Sequence, residues 1–215
     1  MPKVFIGVGH GGNDSGAVSN GFKEKDLNLN IALACRDYLK PYVEVMLSRT
    51  KDENDTLQEE IKECNKFSPD LAVDIHNNAG GGDGAEVFHH YGGGKGKTLA
   101  KNILDEIVKT GQNSRGIKTK TNAAGRDYYG FIREVTAPAV IVECAFVDNK
   151  ADIQIIDTAA EQKQMGIAIA KGILKTLNIP EATYSVQVGK YADRANAEAM
   201  LKKLKAAGFT GFIKG

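Results

Sequence analysis

The chain has 215 residues and a formal net charge of +1, with 42% hydrophobic and 26% charged residues. That is the composition of an ordinary globular protein, with room for one large domain or a medium domain and a small appendage. The near-neutral charge gives no case for broad binding to nucleic acid, and no apolar run approaches the roughly 18 residues a membrane span needs.

The first strand-like run starts at residue 3 with no basic segment or cleavage site before it, so no signal peptide is expected. A target outside the cell membrane would then require another route of release. Cys35, Cys64 and Cys144 are odd in number and widely spaced, which suggests no disulfide framework. Cys35 and Cys64 fall in helix-like segments and read as core thiols.

In chain order, Lys3–Val8 reads as a buried strand that releases His10 into a turn, Gly9-His10-Gly11-Gly12. A loop rich in Gly, Asn, Asp and Ser runs to Gly21. Apolar positions 27, 31, 34, 35, 38 and 39 have helical spacing, so Glu24 lies just before or within a first helical turn. Val43–Leu47 reads as a strand. Thr56 to Phe67 reads as a helix whose Thr56 and Glu59 are placed as a capping box. Leu71–Ile75 is a strand bounded by Pro69, and at its edge stand His76, Asn77 and Asn78 before a glycine-rich loop.

Glu86–Tyr91 reads as another strand, followed by a helix over about 97–111. Residues 112–130 are polar and glycine-punctuated, with weak order signals, and read as a substrate-facing loop. Pro138–Val142 is a strand ending on Glu143, and an amphipathic helix covers about 158–177. Strands alternating with helices predict an α/β fold, a three-layer αβα architecture with a mostly parallel central sheet. Residues 179–183 look like a linker. Beyond it a strand at 184–188, a helix at 193–207 with Gly208 at its end and a strand at 209–213 would make a small βαβ unit, too short to bury a core alone. Residues 181–215 hold six basic against three acidic groups, net +3, and the rest holds 22 against 24.

In an open α/β sheet, ligands collect where parallel strands end. His10, Glu24 and His76 come from two strand ends and a nearby helix start. Two imidazoles and a carboxylate with an open fourth position make the ligand set of a catalytic zinc site. Glu143 would project to the same edge, where a carboxylate could take a proton from water and return it to a leaving amine. Taken singly, each has a plainer reading: the histidines as loop hydrogen-bonding groups, Glu24 as a partner of the helix dipole. Glu143 is harder to dismiss, since a carboxylate near a buried strand end must be paired or useful. Asp74 shares the face of His76 and could orient it. His89 and His90 point to opposite faces, so at most one reaches the site. Alternation turns Cys144 away from Glu143, which makes it a packed thiol. Gly7 to Gly12 lacks the spacing of a dinucleotide loop.

The segments Val8–Ala17, Gly21–Leu29, Leu47–Asp52, Val73–Ala79 and Pro138–Asn149, in order, resemble the zinc-dependent N-acetylmuramoyl-L-alanine amidases of the amidase-3 family. The resemblance spans about 1–178. It implies that His10, Glu24 and His76 bind one Zn2+ ion and that Glu143 is the catalytic glutamate. The bond cut would be the amide between N-acetylmuramic acid and L-alanine in peptidoglycan. Asn78 is the candidate substrate contact. Gly7 stands where that family often has aspartate, Asp74 where serine is usual and Ala145 where glycine is usual. Tyr184–Tyr191, Asn196–Glu198 and Leu204–Phe209 resemble the first half of a SPOR peptidoglycan-binding domain. The expected organisation is therefore a catalytic domain at 1–178, a linker at 179–183 and a half SPOR-like wall-binding unit at 184–215. Such a half-unit is a shortened module, a degenerate one or one completed by another chain, and the last of these predicts self-association through 184–215. The implied partner is peptidoglycan, not nucleic acid or membrane. The chain would be made in the cytoplasm and released by a holin, as a phage endolysin, or by mother-cell lysis.

Overall fold

The computed structural model describes residues 1–181 and 187–214, and the chain divides into two units, Met1–Glu181 and Ala182–Gly215. The first unit opens with β1 (Lys3–Val8), a short hairpin of β2 (Val18–Ser19) and β3 (Phe22–Lys23), and α1 (Glu24–Leu39). It continues through β4 (Glu44–Leu47), α2 (Leu57–Phe67), β5 (Leu71–Asn78), β6 (Ala85–His89), α3 (Gly94–Val108) and β7 (Ser114–Lys118). It closes with α4 (Gly130–Glu134), β8 (Ala139–Phe146), α5 (Lys150–Ile153) and α6 (Ala159–Thr176).

The six long strands form one sheet in the order β4-β1-β5-β8-β6-β7. The pairs β4–β1, β1–β5, β5–β8 and β6–β7 are parallel, whereas β6 runs antiparallel to β8. Alternation along the strands divides the core in two. Val4, Ile6 and Val8, with Leu71, Val73, Ile75, Val140 and Val142, pack against Ile31 and Cys35 of α1, Ile103 of α3 and Ile169 of α6. Phe5, Ala72, Phe88 and Ile141 face the other way, onto Ile61 and Cys64 of α2 and Phe131 of α4. Both faces of these strands are covered, so their sequences read as continuous apolar runs. At Gly166 a side chain would put its Cβ 2.4 Å from the Ile31 carbonyl oxygen, so only glycine lets α6 lie this close to α1.

The second face has a thinner cover than the first, because α2 has 11 residues and α4 only five. A row of polar residues lies on it. Asp74 and His76 of β5, Glu143 of β8 and Glu86 of β6 all share the face of Ala72, Ile141 and Phe88 by the two-residue strand period.

The capping box at Thr56 and Glu59 is present, and Thr158 with Glu161 forms a second one before α6. Four expectations need adjustment. The strand expected to stop at Ile75 runs on to Asn78, and the one expected to end at Glu143 runs on to Phe146, because polar side chains line the open face and the ladder resumes past a register irregularity between His76 and Asn78. Residues 112–130 contain β7, which carries Arg115, Gly116 and Lys118 with no apolar alternation; a polar edge strand resists pairing with other chains. In the second unit α7 (Arg194–Ala206) is present, with Gly208 at φ +86° behind it. Residues 209–214 form no strand, nor do 187 and 188, and the rest of the strand expected at 184–188 lies outside the described residues. A single short strand gains little without a partner to complete its hydrogen bonds.

Candidate metal centre

His10 leaves β1 in the left-handed region at φ +63°, a conformation that costs a non-glycine residue about 1 kcal/mol or more. The turn is held by paired backbone bonds between Gly11 and Asp14, at 2.9 and 3.0 Å. From beneath, the buried Arg49 guanidinium pins the loop. Its Nε donates to the Val8 carbonyl at 3.1 Å, and Nη2 donates to Gly9 and Lys25 carbonyls at 3.3 and 2.7 Å. Asn28 Nδ2 adds a bond to the Gly9 carbonyl at 3.0 Å. Glu24 is the first residue of α1 and is 4% exposed. Its Oε2 accepts from Ala17 N at 3.0 Å and its Oε1 from Asn77 N at 3.1 Å.

These supports bring three side chains together. His10 Nε2 lies 3.1 Å from Glu24 Oε2, and His76 Nδ1 lies 3.1 Å from Glu24 Oε1. The two imidazoles meet edge to face with centroids 5.1 Å apart. The far nitrogens are also engaged, His10 Nδ1 with Asp14 Oδ2 at 2.8 Å and His76 Nε2 with Asp74 Oδ2 at 3.2 Å. The His76 ring lies directly on Gly9, where an added Cβ would be 2.2 Å from a ring carbon.

Donor atoms of His10, Glu24 and His76 all lie within 4.8 Å of one another. Two neutral nitrogens and one carboxylate oxygen at that spacing fit a tetrahedral divalent cation with one position left open. The carboxylates that hold the outer ring nitrogens are what a metal-bound histidine needs to fix its orientation. Burial pushes the Glu24 carboxyl up, but hydrogen bonds from His10 and His76 outweigh it and keep the group well below its usual range. The hydrogen bond to Glu24 raises His10. Burial opposes charge on His76, and Asp74 and Glu24 more than offset it. Glu24 is thus a carboxylate ready to accept a cation.

Glu143 stands in register with His76 on one side and with Glu86 on the other. Among the described residues its Oε2 is buried without a hydrogen-bond partner. Burial pushes its carboxyl up to about 7, the charges of Glu24 and Glu86 add to this, and His76 opposes it. A group of that affinity exchanges protons readily near neutral pH. Burial and the nearby Glu143 push the Tyr129 phenol up to about 12, and its ring packs on Phe88 at 4.8 Å.

A family model described as N-acetylmuramoyl-L-alanine amidase (Amidase_3) matches residues 4–175. The chain belongs to this amidase family. A SPOR domain model matches residues 180–215. The N-acetylmuramoyl-L-alanine amidase CwlM of Bacillus licheniformis is 35% identical, over 99% of this chain and 85% of that protein. The sporulation-specific N-acetylmuramoyl-L-alanine amidase of Bacillus subtilis is 32% identical, over 99% and 84%. Among solved structures, the catalytic domain of the amidase CwlV from Bacillus (Paenibacillus) polymyxa var. colistinus superimposes with a TM-score of 0.75. It is 30% identical and covers 84% of this chain and 100% of that domain.

Other residues singled out from the amidase sequence lie elsewhere. Asn78 donates to Glu86 Oε1 at 3.2 Å and accepts from Ala79 N at 2.8 Å. His89 is buried opposite Val140, three residues from Glu143 along β8, and His90 pairs with Asp127 at 3.0 Å. All three cysteines are free and buried. Sequence reasoning passed over Arg49, Glu60 and Glu86 as parts of the site. Arg49 acts through backbone carbonyls that no motif records. Glu86 is an acidic residue between apolar neighbours of β6, the one available signal, whereas Glu60 lies among polar residues of α2 and has none. Gly7 and Asp74 are register partners, and a Cβ at position 7 would lie 1.9 Å from Glu60 Oε1 and 2.7 Å from Asp74 Oδ1. With Glu60 and Asp74 placed as they are, a side chain at position 7 would require their carboxylates to shift.

Proposed function

We propose that this amidase hydrolyses the bond between the lactyl carbonyl of N-acetylmuramic acid and the amine of L-alanine with one zinc ion. His10, Glu24 and His76 would hold that ion, and Glu143 would move the proton. The observation that carries the reading is the buried, unpartnered Oε2 of Glu143 beside the His-Glu-His set. Zinc bound there supplies a Lewis acid and makes water a competent nucleophile at neutral pH. Glu143 accepts a proton from the attacking water as its oxygen bonds to the carbonyl carbon. As the C–N bond breaks, Glu143 returns that proton to the departing amine, so the group ends the cycle as it began. Asp74 and Asp14 keep the two imidazoles turned toward Glu24.

The wall is the proposed place of action, and the SPOR-matching segment, with its net charge of +3, is the proposed second contact with it. Among the described residues no helix is long and apolar enough to cross a membrane. The same segment is proposed to self-associate, since Phe209 and Phe212 are 63% and 78% exposed. The test of the catalytic assignment is Glu143→Gln. It should retain a full equivalent of zinc by elemental analysis and lose about 10²-fold or more of turnover. Normal turnover in that variant would remove Glu143 from the role.

A further inference from the structure

The row of polar residues does not stop at Glu143. Glu86, its neighbour across the strand pair, is 5% exposed, yet it takes two cations from the adjoining edge strand. Arg115 Nε donates to Glu86 Oε2 at 2.7 Å, and Lys118 Nζ donates to the same oxygen. The other oxygen is occupied by Asn78. Two cations on one carboxylate leave one positive charge in excess. The Arg115 guanidinium also lies over the Phe146 ring, 4.9 Å from its centroid, so its plane is held from two sides. Among the described residues its two terminal amino groups have no protein hydrogen-bond acceptor. The side chains of Arg115 and Lys118 are 36% and 34% exposed. Neutralising Glu86 alone would need only one of these cations.

We propose that Arg115 and Lys118 form a carboxylate-binding subsite that selects an acidic residue of the stem peptide. This rests on the amidase reading above and deepens it. Glu143 must deliver its proton to the leaving amine, so the peptide departs on the Glu143 side of the metal ligands. Beyond Glu143 in that direction come β6 and then β7, at about 5 and 10 Å by strand spacing. A peptide advances about 3.3–3.6 Å per residue, so the second and third residues of the stem fall over β6, where the Arg115 and Lys118 side chains reach Glu86. In peptidoglycan the residue after L-alanine is glutamate joined through its side chain, whose α-carboxyl is free in some walls and amidated in others. A guanidinium fork with an adjacent ammonium suits the free carboxylate and gains little from the amide.

The test compares two soluble substrates, N-acetylmuramoyl-L-alanyl-γ-D-glutamyl-L-lysine amide with the glutamate α-carboxylate free and the same molecule with that group amidated, so that the α-carboxylate is the one stem carboxylate that differs. The zinc-loaded full chain should favour the carboxylate by about tenfold to a hundredfold in kcat/KM, the range of a charge-assisted hydrogen bond. Replacing both cations, Arg115→Gln with Lys118→Gln, should bring the ratio close to one. Arg115→Lys, which keeps the charge and loses the fork, should fall between. A structural role in neutralising Glu86 would alter stability but leave the ratio untouched. Equal cleavage of both substrates by the unmodified chain overturns the subsite while the amidase reading stands. So does a ratio that survives the double substitution. If the double variant does not fold, the unmodified ratio and Arg115→Lys decide. Failure on both substrates and on whole peptidoglycan would overturn the amidase reading and the subsite with it.

Discussion

Replacing Glu143 by glutamine keeps the size and shape of the side chain and removes its capacity for charge, which separates the cost of burying a carboxylate from the use made of it. In the metal-free protein the carboxyl is raised from 4.5 to about 7, chiefly by burial. At 1.36 kcal/mol per pKa unit, the ionised form costs the fold about 3 kcal/mol. The folded pKa lies above the unfolded one. The stability this group contributes is therefore fully present below about pH 4.5 and is lost as pH rises through about 7. Glutamine does not titrate, so its protein escapes that loss. Denaturant unfolding of chelator-treated protein, followed through the Met1–Glu181 unit, should show Glu143→Gln more stable than the unmodified chain by about 3 kcal/mol near pH 8.5, with most of the difference gone near pH 5. A catalytic residue whose removal stabilises the fold is the signature of a site strained for function. If Glu143→Gln is destabilised by the same amount at both pH values, the carboxyl is not held in a desolvated, unpartnered place and the reasoning fails.

Gly9→Ala keeps an allowed backbone but sets a methyl group 2.2 Å from the His76 ring. It should weaken zinc by about tenfold to a hundredfold in a competitive chelator titration, with near-native circular dichroism; unchanged affinity would show that the ring has room to move. Arg49→Met removes the donors to the Val8, Gly9 and Lys25 carbonyls and leaves them buried. The expected cost is about 3 kcal/mol or more in unfolding free energy, together with weaker zinc binding, and a fully stable variant would contradict the pinning role. Multi-angle light scattering should give a dimer that Phe212→Ser converts to monomer. A monomeric parent whose α7 is still formed would end the self-association proposal.

What was legible in the sequence follows from how local the cause was. The strands β1, β5 and β8 announce themselves because burial on both faces forces continuous apolar runs, and Thr56 with Glu59 marks a helix start through contacts three residues apart. His10, Glu24 and His76 stand out because strand ends and a helix start tell where side chains leave the core. The edge strand β7 stayed hidden, since Arg115 and Lys118 answer to Glu86, some thirty residues away, and not to a local period. Arg49 was visible as part of a family segment, but its partners are carbonyls that any sequence supplies. The second unit read more regularly than it is: α7 has a capping aspartate, Asp193, and forms, whereas Phe209–Ile213 has the composition of a strand and no partner among the described residues.

The metal centre and Glu143 are proposed to cut one particular amide. The most direct measurement is digestion of purified peptidoglycan by the native, chelator-treated and zinc-restored chain, with the released ends identified by amino-terminal labelling and mass spectrometry. A zinc amidase should give new L-alanine amino termini, no new reducing sugars, loss of release on chelation and recovery with zinc. Amino termini from other stem-peptide residues would make the same centre a peptidase. Sedimentation onto the wall with no release at all would make it a binding protein that retains an inactive site.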